Sequence, residues 1–510
     1  MSAPAAQPPA ASGPTRVAGS ALVTSLSTIA AMAMGGVLAI VVLLVFGKSA
    51  RTDGFFAAYG VYAVIIALAQ SLRASAVARL LQGSLFDNLD RLIGASLLIL
   101  LASGGVLVGL GDLLAEVLTG AGAGDAHDAA RTALAILWVA GALQILAALA
   151  AAALGALGEF ALPGMAYVTG GAGAIAFVLA LQDPLGIDAV STGLACGSLV
   201  TAVVMLARLG RRGWRPRWSG LREGPRSLGA MALVLSGSVG SVALQLTFVI
   251  TLAFAARMGE GAVTLYSYSF FAAALLVGAV AGPAAIVLAA PVARTWDRRP
   301  ESLNPHLLAV FRAGLALIVP VMAATMLIGD DLVELILGSE LSGADADTVV
   351  RTFLALAGMV FATLAVPVPG VAAFAASRYL AIGSVSLVGV AVHLGASGAA
   401  AAAFDSLESL AAAASASSVA MLAMTLAIVY GRALGRPLGL LVVELARVAG
   451  VAAAAFGPPG IAAAALGGPG WDVAATIVGA ALFLMVLRAR LPDNWELVLR
   501  IAAPLRGRGA

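Results

Sequence analysis

Residues 92–111 read LIGASLLILLASGGVLVGLG, twenty positions without a charge. At 1.5 Å per residue such a helix is about 30 Å long, the thickness of a bilayer's hydrocarbon core. The pattern repeats from end to end. Of 510 residues 61% are hydrophobic and 11% charged, against about 25% charged in a soluble domain, and mean hydropathy is +1.03. Unbroken apolar runs, rather than alternation, exclude a β-barrel. The chain reads as an all-α polytopic membrane protein. Its lone Cys196 and three histidines exclude an internal disulfide framework and make redox or metal chemistry an unsuitable basis for function. No cofactor is expected, and no nucleic-acid partner, because the basic residues sit in short inter-helix loops.

Charged and Pro/Gly breaks divide the chain into about fourteen spans: 21–46, 54–81, 92–111, 131–157, 160–182, 187–208, 228–256, 262–292, 306–328, 350–375, 378–402, 408–430, 438–457 and 472–489. Residues 1–20, Ala/Pro/Gly/Ser-rich, read as a disordered tail. With both termini cytoplasmic, all but Lys48, Arg51, Arg131, Arg257 and Arg351 of the basic residues fall inside. The external loop bearing Asp330, Asp331, Glu334, Glu340, Asp345 and Asp347 is then acidic, as the positive-inside rule requires. The most basic loop, Arg208, Arg211, Arg212, Trp214, Arg215, Arg217, Trp218, Arg222 and Arg226, has two readings: an orientation anchor, or a segment touching anionic headgroups.

That loop separates two comparable halves. Ala21-Leu22-Val23-Thr24-Ser25-Leu26-Ser27 and Ala232-Leu233-Val234-Leu235-Ser236-Gly237-Ser238 share A-L-V-x-S-x-S, and Gly47 and Gly259 break the chain at matching distances beyond. Each break leads to an aromatic-bearing helix. The expected architecture is two parallel-related six-helix bundles, 21–210 and 228–430, joined by a basic linker, 211–227, with two further helices and a cytoplasmic tail in 431–510. Such paired bundles suit alternating access, with helices one, two, seven and eight around a central cavity.

Phe46-Gly47-Lys48-Ser49-Ala50-Arg51-Thr52-Asp53-Gly54-Phe55-Phe56-Ala57-Ala58-Tyr59 resembles the FG…TDAFF.AF segment of the MurJ/MviN family of lipid II flippases, in the MOP exporter superfamily. Gly261-Ala262-Val263-Thr264-Leu265-Tyr266-Ser267-Tyr268, with Pro291 beyond, is similar to that family's G-x-V-x-x-L-Y-Y segment. The resemblance implies a 6+6+2 helix arrangement in the bacterial cytoplasmic membrane. It also implies flipping of a lipid-linked saccharide, such as a peptidoglycan precursor, to the outer leaflet. The family's cavity arginines on helices one, two and eight fall, by gapless extension, on Met32, Leu38, Ile66 and Phe271. Either the headgroup differs or other cations replace them, since a diphosphate in a low-dielectric site needs charged donors.

Tyr59, Tyr62, Gln70 and Arg73 recur at helical spacing and form a polar stripe on span two, which belongs against protein or water. Arg73 is either a substrate ligand or a snorkelling cation. Ser238, Ser241 and Gln245 form a second stripe on span seven, with Thr247 and Thr251 beyond; as a lining they would meet sugar hydroxyls, while in packing they would bond between helices. Tyr266 and Tyr268 are cavity candidates or an interfacial belt. Asp53 caps its own helix, pairs with Arg51 or, by the resemblance, helps close an outer gate. His393 reads as a buried neutral histidine, and Glu444 with Arg447 as a local pair.

No nucleophile–base pair, metal cluster or P-loop is present in the pattern, which points to a secondary transporter rather than an enzyme or ATP-driven pump. Two other functions stay open. One is a multidrug or small-molecule antiporter of the same superfamily. The other is a non-transporting scaffold for envelope synthesis. The expected partners are the lipid-linked saccharide, membrane lipids and cell-wall synthesis proteins.

Overall fold

The computed structural model describes residues 30, 34–82, 84–120, 124–159, 161–217, 220, 222–236, 239–295, 300–337, 341, 343–376, 378–492 and 494–495. The predicted tail 1–20, Met32 and Ser238 lie outside them. Among the described residues every regular element is helical. Eleven helices among the described residues are long and apolar enough to cross a membrane, and three shorter ones, Met34–Phe46, Val242–Ala255 and Ala262–Gly278, fall in predicted spans one, seven and eight. This is a multi-pass membrane protein. Its lipid-facing side chains show why: Val108 is 90% exposed and Leu335 81%, tolerable only where the surroundings are hydrocarbon.

The first half comprises α1 (Met34–Phe46), α2 (Ala50–Leu80), α3 (Leu85–Thr119), α4 (Asp125–Ala156), α5 (Ala161–Leu185) and α6 (Asp188–Arg211). Gly47, at φ 63°, ends α1 in a left-handed turn open to glycine without strain. Ser49 then caps α2 by accepting from the Thr52 amide at 3.2 Å. Helix α4 runs through the middle of this half against α2, α3 and α6, and its run Ala147–Leu154 is buried on every side. Alanine suits that position because small side chains allow close approach all round. The crossing of α5 and α6 is tighter still: a Cβ on Gly170 would meet the Gly197 carbonyl oxygen at 2.5 Å.

The second half comprises α7 (Gly224–Ser236), α8 (Val239–Ala255), α9 (Ala262–Thr295), α10 (Asn304–Leu337), α11 (Gly343–Ala355), α12 (Ala357–Ala365), α13 (Pro367–Ala375), α14 (Tyr379–Phe404) and α15 (Leu407–Tyr430). Predicted span ten is thus three helical pieces, with Pro367, which has no amide proton, opening the last. Two more helices, α16 (Gly435–Leu466) and α17 (Pro469–Arg490), pack on each other and on α10. Glu444 of α16 is buried and pairs with Arg312 of α10 at 2.9 Å, with Arg447 farther off at 3.7 Å. The local pair expected from sequence is therefore the minor part of an inter-helix cluster.

Helix α2 bridges the halves, packing on α4 on one side and on α8 and α9 on the other, while α3 meets α7. The basic linker docks on α3: Trp214 Nε1 donates to Asp90 Oδ1 at 3.0 Å, Arg217 to Asp87 at 2.8 Å, and Arg91 pairs with Glu223 at 2.7 Å. Asp87 and Asp90 of α3, with Glu223 of the linker itself, hold the two together. The basic end of the bundle carries the α2–α3, α4–α5 and α6–α7 connections, and the acidic end carries α1–α2, α3–α4 and α8–α9.

Candidate functional site

A cavity of ≈ 700 Å³ occupies the first half, walled by α1, α2, α4, α5 and α6 and closed on one side by Phe271, Ala274 and Leu275 of α9. Its lining runs along α2 from Phe55 to Val77, about 33 Å at the helical rise. Tyr59, Tyr62, Gln70 and Arg73 all lie on this wall. Leu38 of α1, Ile66 of α2 and Phe271 of α9 also line the cavity, the positions that family resemblance assigns to arginine, so none of these three brings a charge to its middle.

Polar groups cluster deeper toward α4 and α6. Ser198 accepts from Gln144 Nε2 at 3.0 Å and lies 3.3 Å from the Tyr62 hydroxyl. Thr201 donates to the Gly197 and Ala166 carbonyls. Toward the basic end, the Arg73 guanidinium lies over the Tyr167 ring, 5.8 Å from its centroid, a cation–π placement. Among the described residues no carboxylate pairs with Arg73. The other charged lining residue is Glu159, in the α4–α5 turn. Its carboxylate takes hydrogen bonds from Arg208 at 2.8 Å and from Arg212. These bonds hold its pKa below the ordinary carboxylate value, the Arg208 bond contributing most.

The acidic end of the cavity is shut by aromatic rings and by paired caps. Phe56 meets Tyr268 edge-on at 5.5 Å and Tyr59 meets Phe271 at 5.6 Å. Asp53, buried, accepts from the amides of Gly261 and Thr264, the latter at 2.9 Å, and from the Thr264 hydroxyl. Glu260 in turn accepts from the Ala50 amide at 2.9 Å. Each half therefore caps a helix of the other. Lys48 adds a contact to Asp345 at 2.7 Å.

Several sequence candidates are placed differently from the cavity reading. Asp53 caps α9 and not its own helix, whose cap is Ser49, and Arg51 pairs instead with Asp125 at 3.4 Å. Tyr266 is fully buried, stacked near Phe248 and Phe270. Tyr268 is also buried, its hydroxyl donating to the Ala39 carbonyl at 2.9 Å. Neither tyrosine lines the cavity or sits in a surface belt, because the turn at Gly259 and Gly261, both with positive φ, leads α9 directly into the interior. Gln245 is half-buried and does not line the cavity. Ser238 and the side chain of Ser241 lie outside the described residues. The Thr251 hydroxyl and the Thr247 carbonyl face His393 instead. Gln144, Tyr167, Ser198, Thr201 and Glu159 escaped sequence reasoning. Gln144 and Tyr167 were detectable as isolated polar tips within apolar spans; the others needed the packing.

A long cavity inside a helical membrane bundle, closed at one end by cross-caps between two halves, defines a transport protein. A family described as lipid II flippase MurJ matches residues 45–463, and the chain belongs to that family. Curated protein sequences give no match. Among solved structures, the chain is similar to a lipid II flippase MurJ in an inward closed conformation, with TM-score 0.72 and 15% identity over 95% of this chain and 100% of that one. It is also similar to an inward-facing multidrug resistance MATE transporter, with TM-score 0.58 and 16% identity over 80% and 98%. A MOP superfamily transporter from Pyrococcus furiosus gives TM-score 0.58 and 16% identity over 82% and 96%.

Proposed function

We propose that the protein flips a lipid-linked saccharide, carried on a phosphate or diphosphate, from the cytoplasmic to the outer leaflet of the bacterial inner membrane. Both termini are cytoplasmic, so the basic end of the cavity faces the cytoplasm. The second half, which closes one side of the cavity through α9, rocks against the first as in a secondary transporter, without ATP hydrolysis, and cell-wall synthesis proteins take up the product. One observation carries the reading: Arg73, a half-buried cation on the cavity wall, has no acidic partner among the described residues. An uncompensated guanidinium at membrane depth is costly unless an anion visits it. Tyr59, Tyr62 and Gln70 extend along the same wall, with hydroxyl and amide groups suited to sugar hydroxyls.

The antiporter reading has less support. Ion-coupled export of a cation calls for a carboxylate presented to the cavity, and the one that lines it, Glu159, is held by two arginines.

Purified protein in proteoliposomes, given a fluorescent polyprenyl-diphosphate saccharide, should deliver the probe to the opposite leaflet. Transport of cationic dyes without saccharide flipping would establish the antiporter instead, and neither activity would leave the scaffold. Orientation is read separately. In a Cys196→Ala background, Ala344→Cys should label from outside and Arg215→Cys only from inside; the reverse would overturn the topology.

A further inference from the structure

Glu159 is gripped more firmly than a loop residue requires. Arg208 donates through Nε to Oε2 and through Nη2 to Oε1, both at 2.8 Å, and Arg212 adds a bond to Oε1. This two-pronged geometry is how guanidinium groups hold carboxylates and phosphates alike. The carboxylate is 14% exposed, while the arginines behind it are 35% and 48% exposed. One negative charge therefore stands between two positive ones.

Glu159 lines the cavity and the two arginines do not. The carboxylate thus screens them from the space that Arg73 faces. It follows the Gly158 turn, at φ 81°, with its amide bonded back to the Leu154 carbonyl. A simple tie between the α4–α5 turn and α6 needs one arginine; it does not call for a second, or for a carboxylate in the cavity wall. A diphosphate, with at least two negative charges and several acceptor oxygens, matches the pair more fully than Glu159 does.

We propose that Arg208 and Arg212 form a phosphate-accepting clamp at the basic end of the cavity, filled at rest by Glu159 and taken over by the substrate's diphosphate on its way to Arg73. The proposal rests on the lipid-linked substrate argued above and places its first station. It also supplies cations that the middle of the cavity, at Leu38, Ile66 and Phe271, does not.

The test is calorimetric titration of the full-length protein in nanodiscs with inorganic pyrophosphate, and in parallel with geranyl diphosphate. Glu159→Gln should bind pyrophosphate about tenfold more tightly than wild type, the gain of one charge-assisted contact. Adding Arg208→Ala and Arg212→Ala should abolish the gain, whereas adding Arg73→Ala should leave it. Geranyl diphosphate should show the same gain, as a lipid-linked ligand must. No gain in a folded Glu159→Gln protein, a gain that survives loss of both arginines, or a gain confined to free pyrophosphate would overturn the proposal. If Glu159→Gln does not fold, Arg208→Ala/Arg212→Ala in the wild-type background carries the test: affinity should fall about tenfold, and unchanged affinity refutes the clamp. Binding is read without transport, so a protein that flips nothing still reports on the clamp. Flipping that persists without the clamp refutes only this inference.

Discussion

In the second half, His393 on α14 is enclosed by partners. Its Nδ1 lies 2.8 Å from Ser417 Oγ, and its Nε2 lies 2.9 Å from both Thr251 Oγ1 and the Thr247 carbonyl. A proton on Nε2 donates to that carbonyl, and Nδ1 lies against the Ser417 hydroxyl, which also bonds to the Ala413 carbonyl, so the neutral ring is held from both sides. In the first half, Gln144, Ser198 and Tyr62 also bond to one another, yet they face a cavity, and Arg73 beyond them lies over the Tyr167 ring with no carboxylate partner among the described residues. Both groups are polar and set within apolar helices. The difference teaches that polarity at membrane depth marks function only when its bonding capacity is left open; closed upon itself, it is packing.

Paired substitutions sharpen that contrast most. Arg73→Ala should cut flipping about tenfold or more, the cost of one charge-assisted contact, with little change in melting temperature. Arg73→Lys should recover only part, since an ammonium lacks the planar fork. His393→Leu should do the opposite, losing about 1 kcal/mol of stability as the inter-helix bonds of the ring are lost and its partners keep only their bonds within their own helices, while each folded molecule keeps its turnover. Flipping assays and thermal melts on the same preparations check both; loss of stability in Arg73→Ala with normal turnover would collapse the distinction.

Gly197→Ala comes next. Its Cβ would lie 2.3 Å from the Gly170 carbonyl oxygen, and a backbone atom cannot swing away. The α5–α6 crossing should open at a cost of about 1–3 kcal/mol, seen as a lower melting temperature and slower transport. A smaller effect belongs to Asp53→Asn, which turns an amide toward the Gly261 and Thr264 N–H donors and removes the cap's charge. It should cost about 1 kcal/mol and make Tyr59→Cys, in a Cys196→Ala background, more reactive toward thiol reagents from the acidic end. Unchanged reactivity would mean that the aromatic rings alone make the seal.

The smallest effect concerns pH. Because its arginines hold the Glu159 pKa below the ordinary value of 4.5, its stabilising contribution is fully present above that value and is lost as pH falls through the lowered pKa. The melting difference between wild type and Glu159→Gln should therefore shrink on acidification below about 4.5. A difference that grows on acidification would give the pairing the wrong sign.

The helical character and the spans were legible because a bilayer enforces long apolar runs with charged ends, as at 92–111. That Tyr59, Tyr62, Gln70 and Arg73 face one way follows from spacing along α2. That they face a cavity does not, since the opposite wall comes from α4, α5 and α6, whose Gln144, Tyr167 and Ser198 form no stripe of comparable length in their own spans. Tyr266 and Tyr268 misled for a related reason. Their distance from the Gly259 break suggests an interface, but only the turn geometry shows the helix entering the interior. Arg312 was unreadable as the partner of Glu444 because nothing local joins residues so far apart in sequence.

A structure of the protein in nanodiscs with a polyprenyl-diphosphate saccharide tests where the anion is held. Diphosphate density should appear at the basic end of the cavity, bonded by the Arg73 guanidinium, with the sugar extending toward Gln70 and Tyr62. Diphosphate density among Leu38, Ile66 and Phe271, or outside the first half's cavity, would contradict that placement.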